Sequence, residues 1–245
     1  MRFDGKVGIV TGGASGMGLA AVRLLAQEGC KVYVLDVKPT QVAAFIECDV
    51  SDYARVKECV AQVAAAEGRI DVLFAAAGVH LFATIEDTSI AEFERVLGIN
   101  LRGTFHILKE VLPIMRAQRH GNIVLMGSDQ VHVGKGGSAV YGLTKAAIGQ
   151  LTKSSAIDYA QYNVRVNCIC PGTIDTPMLP PTIERFHQAS GIPVDEIYDI
   201  LRKAQPIQRL GTPEEIAHTV AFMLSDESPF MTGALVNVDG GYTCQ

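Results

Sequence analysis

The sequence predicts an α/β fold, a single domain built on a doubly wound parallel sheet with helices on both faces. Three observations point there. Short β-branched runs alternate along the chain with longer stretches of helical periodicity. The runs are apolar at nearly every position, as strands covered on both faces must be. No linker, charge run, low-complexity segment or internal repeat divides the 245 residues, so 1–245 reads as one unit.

The elements follow in order. Residues 7–11 form a first strand and 16–28 the helix after it. Residues 31–35 are a second strand and 43–47 a candidate third. A helix is expected over 51–67, with Ser51 at its N-cap. Residues 72–76 are an apolar strand. Residues 89–117 are a long helical region opened by a capping box, Ser89 with Glu92. Strand 122–127, helix 141–161 and strand 164–169 come next. Thr212-Pro213-Glu214-Glu215 starts another helix, with a cap, Pro at its first position and Glu at its third. A short strand at 234–238 closes the sheet. Only 12 residues separate Asp36 from Asp49, barely room for a crossover helix, so a truncated turn or an open loop is expected there.

Composition bounds the function. With 48% hydrophobic residues the chain can bury a large core, and with 19% charged residues it is not a disordered polymer. A net charge of -5 favours neither nucleic acid nor an anionic membrane surface, so neither is expected as a partner. No apolar run reaches the roughly 18–20 residues of a membrane span, and the first residues, Met-Arg-Phe-Asp-Gly-Lys, do not resemble a signal peptide. A cytoplasmic location is expected. The cysteines Cys30, Cys48, Cys59, Cys168, Cys170 and Cys244 form no C-x-x-C, and they read as small buried hydrophobes in a reducing compartment. No metal site is expected.

The first strand runs into Thr11-Gly12-Gly13-Ala14-Ser15-Gly16-Met17-Gly18. Glycine at such a turn lets a pyrophosphate approach the backbone, and the helix N-terminus beyond offers free N–H groups to the anion. Asp36 ends the second strand, 18 residues after Gly18. A carboxylate there accepts from both ribose hydroxyls of NAD and repels the 2′-phosphate of NADP, so NAD is the expected cofactor. Lys38, close by, points to solvent or softens that repulsion. Asp49 is placed either to accept from the adenine amino group or simply to cap the following helix.

Tyr141 and Lys145 are spaced i, i+4 and share a helix face. An ammonium beside a phenol lowers its pKa from near 10 and suits it to acid/base work. The spacing alone proves little, because Tyr53 and Lys57 repeat it on what reads as a solvated helix face. Position separates the two pairs. Ser128 lies 13 residues before Tyr141, at the C-terminal end of strand 122–127, where an open parallel sheet binds its ligands. Gly78 and Pro171-Gly172 follow other strands at the same edge.

These residues together resemble the short-chain dehydrogenase/reductase family across essentially the whole chain. The matching positions are Gly12, Gly16 and Gly18, then Asp49-Val50, Asn100, Ser128, Tyr141 with Lys145, Pro171-Gly172 with Thr176, and Asp239-Gly240-Gly241. The resemblance implies a Rossmann-type fold and a Ser128–Tyr141–Lys145 triad, with Asn100 holding a water in a proton relay. It implies that Tyr141 exchanges a proton with a substrate hydroxyl, that Lys145 lowers its pKa, and that Ser128 positions the oxygen. The implied NAD contacts are Gly12, Ser15, Gly16, Met17, Gly18, Asp36, Asp49, Val50, Gly78, Tyr141, Lys145, Pro171, Gly172, Ile174 and Thr176. A homotetramer is implied too, and residues 178–210 become a lid over the substrate.

Ala75-Ala76-Ala77-Gly78 departs from the family's usual Asn-Asn-Ala-Gly, so the bracing those asparagines give must come from elsewhere. The stretch from Cys168 to Pro177 is similar to cytosolic type 2 3-hydroxybutyrate dehydrogenases, but Ser138 stands where those carry a substrate-binding Arg. The substrate is a small-molecule alcohol or carbonyl: a small hydroxy acid, a sugar, a sugar acid, or a 3-oxoacyl thioester. Asp129, Gln130 and His132 offer a polar pocket, with His132 otherwise a surface residue. Arg185, Arg202 and Lys203 offer cations for a carboxylate, or are solvated helix charges. A non-catalytic NAD-binding sensor is the competing function. Such a protein is expected to lose Tyr, Lys or Ser, and this chain has all three.

Overall fold

The computed structural model describes residues 1–245. Seven strands form one sheet: β1 Val7–Thr11, β2 Lys31–Asp36, β3 Ala44–Glu47, β4 Val72–Ala75, β5 Gly121–Met126, β6 Val164–Pro171 and β7 Leu235–Val238. Their spatial order is β3-β2-β1-β4-β5-β6-β7, and every neighbouring pair is parallel. The order reverses direction between β1 and β4, and that switch point opens a crevice beyond the C-terminal ends of those strands.

Helices cover both faces because the strands are apolar on both. Helices α1 (Gly16–Gln27) and α8 (Pro213–Leu224) bury Val22, Leu25, Ile216 and Val220 against one face. Helices α2 (Tyr53–Glu67), α4 (Gly103–Gln118) and α5 (Ala139–Ala160) cover the other with Val56, Val60, Ile107, Val111 and Ile148. Between β6 and α8, α6 (Leu179–Ser190) and α7 (Val194–Ala204) pack on each other through Leu179, Ile183 and Ile197. No helix is long and apolar enough to cross a membrane.

Several expectations are corrected. The cap of α2 is Asp52, which accepts from the Arg55 amide, and not Ser51. Ser51 is drawn away by Asp49, whose Oδ1 accepts both its amide, at 2.9 Å, and its hydroxyl, at 2.7 Å. The helical region opened by the Ser89 capping box is not one regular helix. Helix α3 (Ile90–Val96) passes through a π turn over Leu97–Arg102 before α4 begins. Such wide turns concentrate at functional sites, and this one carries Asn100. Of the six cysteines, Cys244 is exposed rather than buried, because it sits in the last turn of the chain. The interval after β2 holds no helix, only a loop and then β3.

Candidate active site

A groove of about 360 Å³ opens beyond the ends of β1, β2 and β4. Its walls include Gly12, Ser15, Gly16, Met17, Gly18, Asp36, Asp49, Val50, Gly78 and Thr176, so ten of the expected cofactor residues meet in one place. Gly12 adopts φ +67, and a Cβ on it would lie 2.7 Å from the Ala77 backbone. A Cβ on Gly18 would lie 2.2 Å from the Gly12 carbonyl oxygen. The turn is thus a cradle that side chains would fill, and Ser15 at the N-cap of α1 leaves its hydroxyl uncommitted to the cap. This is the shape a dinucleotide pyrophosphate requires.

Asp36 is fixed rather than free. Its Oδ2 accepts from the Ala14 amide at 3.0 Å and its Oδ1 from the Lys38 amide at 3.0 Å. A carboxylate has about four acceptor positions, so both oxygens keep capacity for ribose hydroxyls. The bracing lost with the family's asparagines comes from Thr11. Its hydroxyl accepts from the Ala77 amide at 3.2 Å and its carbonyl from Ala76 at 3.2 Å. Leu35, Val37, Cys48, Val79 and Ile99 also line the groove and were not anticipated. Strand ends, loops and the π turn bring them together, and no local pattern announces that.

Tyr141, Lys145 and Ser128 meet at the end of β5. Lys145, in α5, donates to the Met126 carbonyl at 2.7 Å, and its ammonium lies 5.4 Å from the Tyr141 ring centroid. A Cβ on Gly78 would lie 3.8 Å from Lys145 Nζ and 3.3 Å from Asn100 Oδ1, so all four segments converge. Burial pushes the Lys145 ammonium down to about 8, with the thiols of Cys168 and Cys170 opposing the fall. Desolvation pushes the Tyr141 phenol up; a hydrogen bond with Ser128 opposes this and the Asp129 carboxylate adds to it. In this conformation the Lys145 ammonium bonds the Met126 carbonyl rather than the Tyr141 phenol.

Asn100 is committed to structure through its side chain. Oδ1 accepts from the Val79 amide at 2.8 Å, and Nδ2 donates to the Val79 carbonyl at 2.9 Å and to Thr144 Oγ1 at 3.2 Å. Its main-chain carbonyl lies in the π turn and accepts from Thr104 Oγ1 at 2.7 Å.

The surroundings of Ser128 hold two arrangements that sequence reasoning missed. Ser128 donates to Asp129 Oδ1 at 2.8 Å, while Lys135 donates to Asp129 Oδ2 at 2.6 Å. His80 packs against Tyr141 with ring centroids 4.5 Å apart and the ring planes tilted by 50°. Nothing in a sequence pairs residue 80 with residue 141, or shows that a Lys seven residues past Ser128 folds back onto its neighbour. Gln130 is buried beside them, whereas His132 is exposed, as the surface alternative had it. In the segment 178–210, Arg185 pairs with Glu92 at 3.3 Å and Arg202 with Asp199 at 2.8 Å, and Lys203 is exposed.

The segment after β6 frames the other side. Gly172 packs so closely on the Asp239 backbone that a Cβ would lie 2.8 Å from the Asp239 Cα. Ile174 buries its side chain in the α1–α8 core, and its backbone forms a parallel bridge with Gly211. Thr176 stands against Gly16, 3.5 Å from where a Cβ would be. Pro171 ends β6 beside Val238 of β7.

Fold and site together define an oxidoreductase with a Rossmann-like dinucleotide fold. A family model described as enoyl-(acyl carrier protein) reductase matches residues 12–243. The chain belongs to the short-chain dehydrogenase/reductase family, whose members bind NAD(P). It is 34% identical to the 3-oxoacyl-[acyl-carrier-protein] reductase FabG of Thermotoga maritima, over 98% of this chain and 99% of that one. Levodione reductase matches in structure with a TM-score of 0.92 at 34% identity, covering 99% of both chains. The ligand-free aldohexose dehydrogenase of Thermoplasma acidophilum matches with a TM-score of 0.92 at 34% identity, over 100% of this chain and 96% of that one.

Proposed function

We propose that this chain is an NAD(H)-dependent dehydrogenase that interconverts a secondary alcohol and a ketone. The observation that carries the reading is the convergence of Ser128, Tyr141 and Lys145 with Gly78 at the mouth of the dinucleotide groove. A bound nicotinamide supplies the hydride acceptor or donor. Tyr141 takes the hydroxyl proton of the alcohol, or returns it to the ketone oxygen. Ser128 holds that oxygen. Lys145 lies one side-chain rearrangement from the phenol; turned from the Met126 carbonyl toward Tyr141 it favours phenolate. The Asn100 carbonyl holds the water through which the proton leaves. Gly12, Ser15, Gly16, Met17 and Gly18 bind the pyrophosphate, Asp36 the ribose and Asp49 with Val50 the adenine. Gly78, Tyr141, Lys145, Pro171, Gly172, Ile174 and Thr176 receive the nicotinamide half.

Asp36 supports NAD over NADP, since its fixed carboxylate faces the place of a 2′-phosphate. The FabG relative supports a second reading, a reductase of 3-oxoacyl thioesters. A cytoplasmic location is supported by cysteines that form no C-x-x-C, five of the six being buried as small hydrophobes. Exposed Phe105 on α4 and Leu143 and Ile157 on α5 support a homotetramer, because they form apolar surface that self-association would cover.

The test is a panel of secondary alcohols, hydroxy acids, sugars and an acetoacetyl thioester with each cofactor, followed by nicotinamide absorbance. Turnover with NAD, weakened by Asp36→Ala, is expected. A wild-type preference for NADP overturns the reading of Asp36, and an absence of turnover across the panel overturns the reaction.

A further inference from the structure

We propose that the substrate is an uncharged polyhydroxy compound, and that His80 selects it by binding a hydroxyl next to the reacting carbon. The proposal rests on the reading of Tyr141 and Ser128 as the reacting centre.

The charged groups around that centre already have partners. Lys135 donates to Asp129 at 2.6 Å, and Asp129 is 1% exposed. Arg185 pairs with Glu92 at 3.3 Å through both terminal nitrogens. Lys145 is on the Met126 carbonyl. A substrate carboxylate that took Lys135 from Asp129 would strip a buried carboxylate of its cation, which is strongly unfavourable. It would also meet the negative charge of Asp129, whose Oδ1 accepts from Ser128 Oγ at 2.8 Å. The pocket therefore discriminates against anions without any steric barrier.

His80 supplies the opposite preference. Its ring packs tilted against Tyr141, 4.5 Å between centroids, so it borders the reacting centre. Its Nε2 has only a long contact, 3.4 Å, with Ser138 Oγ. Its Nδ1 is the one buried side-chain polar atom in the molecule without a hydrogen-bond partner. Buried polar atoms are almost always paired, and an exception at an active site marks a place where a ligand completes the bonding. Burial and the cations of Lys135, Lys145 and Arg185 push the imidazole down to about 4, so the ring is neutral at pH 7. A neutral imidazole has one donor and one acceptor, and so does a hydroxyl. Ser138, buried beside it, adds a second hydroxyl to the same wall.

The test compares three four-carbon compounds with the same reacting CH(OH)CH3 end: butane-2,3-diol, butan-2-ol and 3-hydroxybutyrate. The wild-type kcat/KM is expected to fall in that order, with the diol at least tenfold above the mono-alcohol. His80→Phe keeps a ring over Tyr141 and removes both nitrogens, so the diol-to-mono-alcohol ratio should collapse toward one, mainly through KM. His80→Asn restores a donor and an acceptor and should restore part of the ratio. A preference for 3-hydroxybutyrate, or a ratio unchanged in His80→Phe, overturns the proposal while leaving the dehydrogenase reading intact. Calorimetric titration of NADH-loaded protein with the same compounds separates the two readings. Diol binding that depends on His80 without any turnover supports the His80 hydroxyl site and sinks the assigned reaction. No diol binding overturns the proposal.

Discussion

Replacing Gly18 by Ala adds one methyl group at the most crowded point of the phosphate turn. The new Cβ would lie 2.2 Å from the Gly12 oxygen, 2.9 Å from its carbonyl carbon and 3.2 Å from the Gly13 Cα. All three are backbone atoms, so no side chain can swing aside, and the turn must lift from α1 by about 1 Å to restore van der Waals contact. Overpacking of this kind costs about 1–3 kcal/mol, and Ala returns up to ~1 kcal/mol of helix propensity over Gly. A net loss of about 1–2 kcal/mol lowers Tm by roughly 2–8 °C at this chain length. The effect on the cofactor is larger, because a displacement of that size at a binding turn can cost on the order of 100-fold. Gly13→Ala is the internal control. Its Cβ meets methyl groups of Val22 and Val34 at 3.0–3.2 Å, a far milder clash that involves side chains and not backbone. NADH fluorescence titration and thermal unfolding of both variants are the assay. Strong loss of binding in Gly18→Ala and near wild-type binding in Gly13→Ala are expected. Equal binding by the two variants would refute the cradle.

Two further substitutions probe the scaffold and its pH response. Arg165, buried in β6, donates to the carbonyls of Met223, Ser225 and Met231 and to Ser228 Oγ, tying the C-terminal segment to the sheet. Arg165→Met leaves those acceptors unpaired, a loss of roughly 3 kcal/mol or more, seen as a Tm fall of about 6–12 °C; an unchanged Tm contradicts it. His80 is held down to about 4 from an ordinary 6.5, so between those values the unfolded chain binds a proton that the folded chain refuses. Stability therefore falls as pH drops through that window, by at most on the order of 3 kcal/mol. His80→Phe should flatten this acid limb in Tm-versus-pH curves, and parallel limbs for the two proteins would count against it.

Much of the fold was legible because strand and helix have different periods, and because strands buried on both faces cannot hide their apolar runs. The site was legible where chemistry is tied to a strand end. Tyr141 and Lys145 share their spacing with Tyr53 and Lys57, yet Tyr53 donates to Glu110 at 2.7 Å on an exposed helix face. Ser128 at the end of β5 made the difference. What stayed hidden depends on contacts between distant segments. Asp49 competing for Ser51, Lys135 folding back to Asp129 and His80 lying on Tyr141 are such contacts. The direction of the Lys145 side chain is another, since a helix position sets a face and not a hydrogen-bond partner.

The central claim is that Tyr141 is the group that moves the proton. Tyr141→Phe keeps the ring under His80 and removes only the hydroxyl, so NADH should still bind with nearly the wild-type Kd. Turnover of the best alcohol in the panel should fall by about 100- to 10,000-fold. A Tyr141→Phe protein that binds NADH and turns over at the wild-type rate would contradict the account.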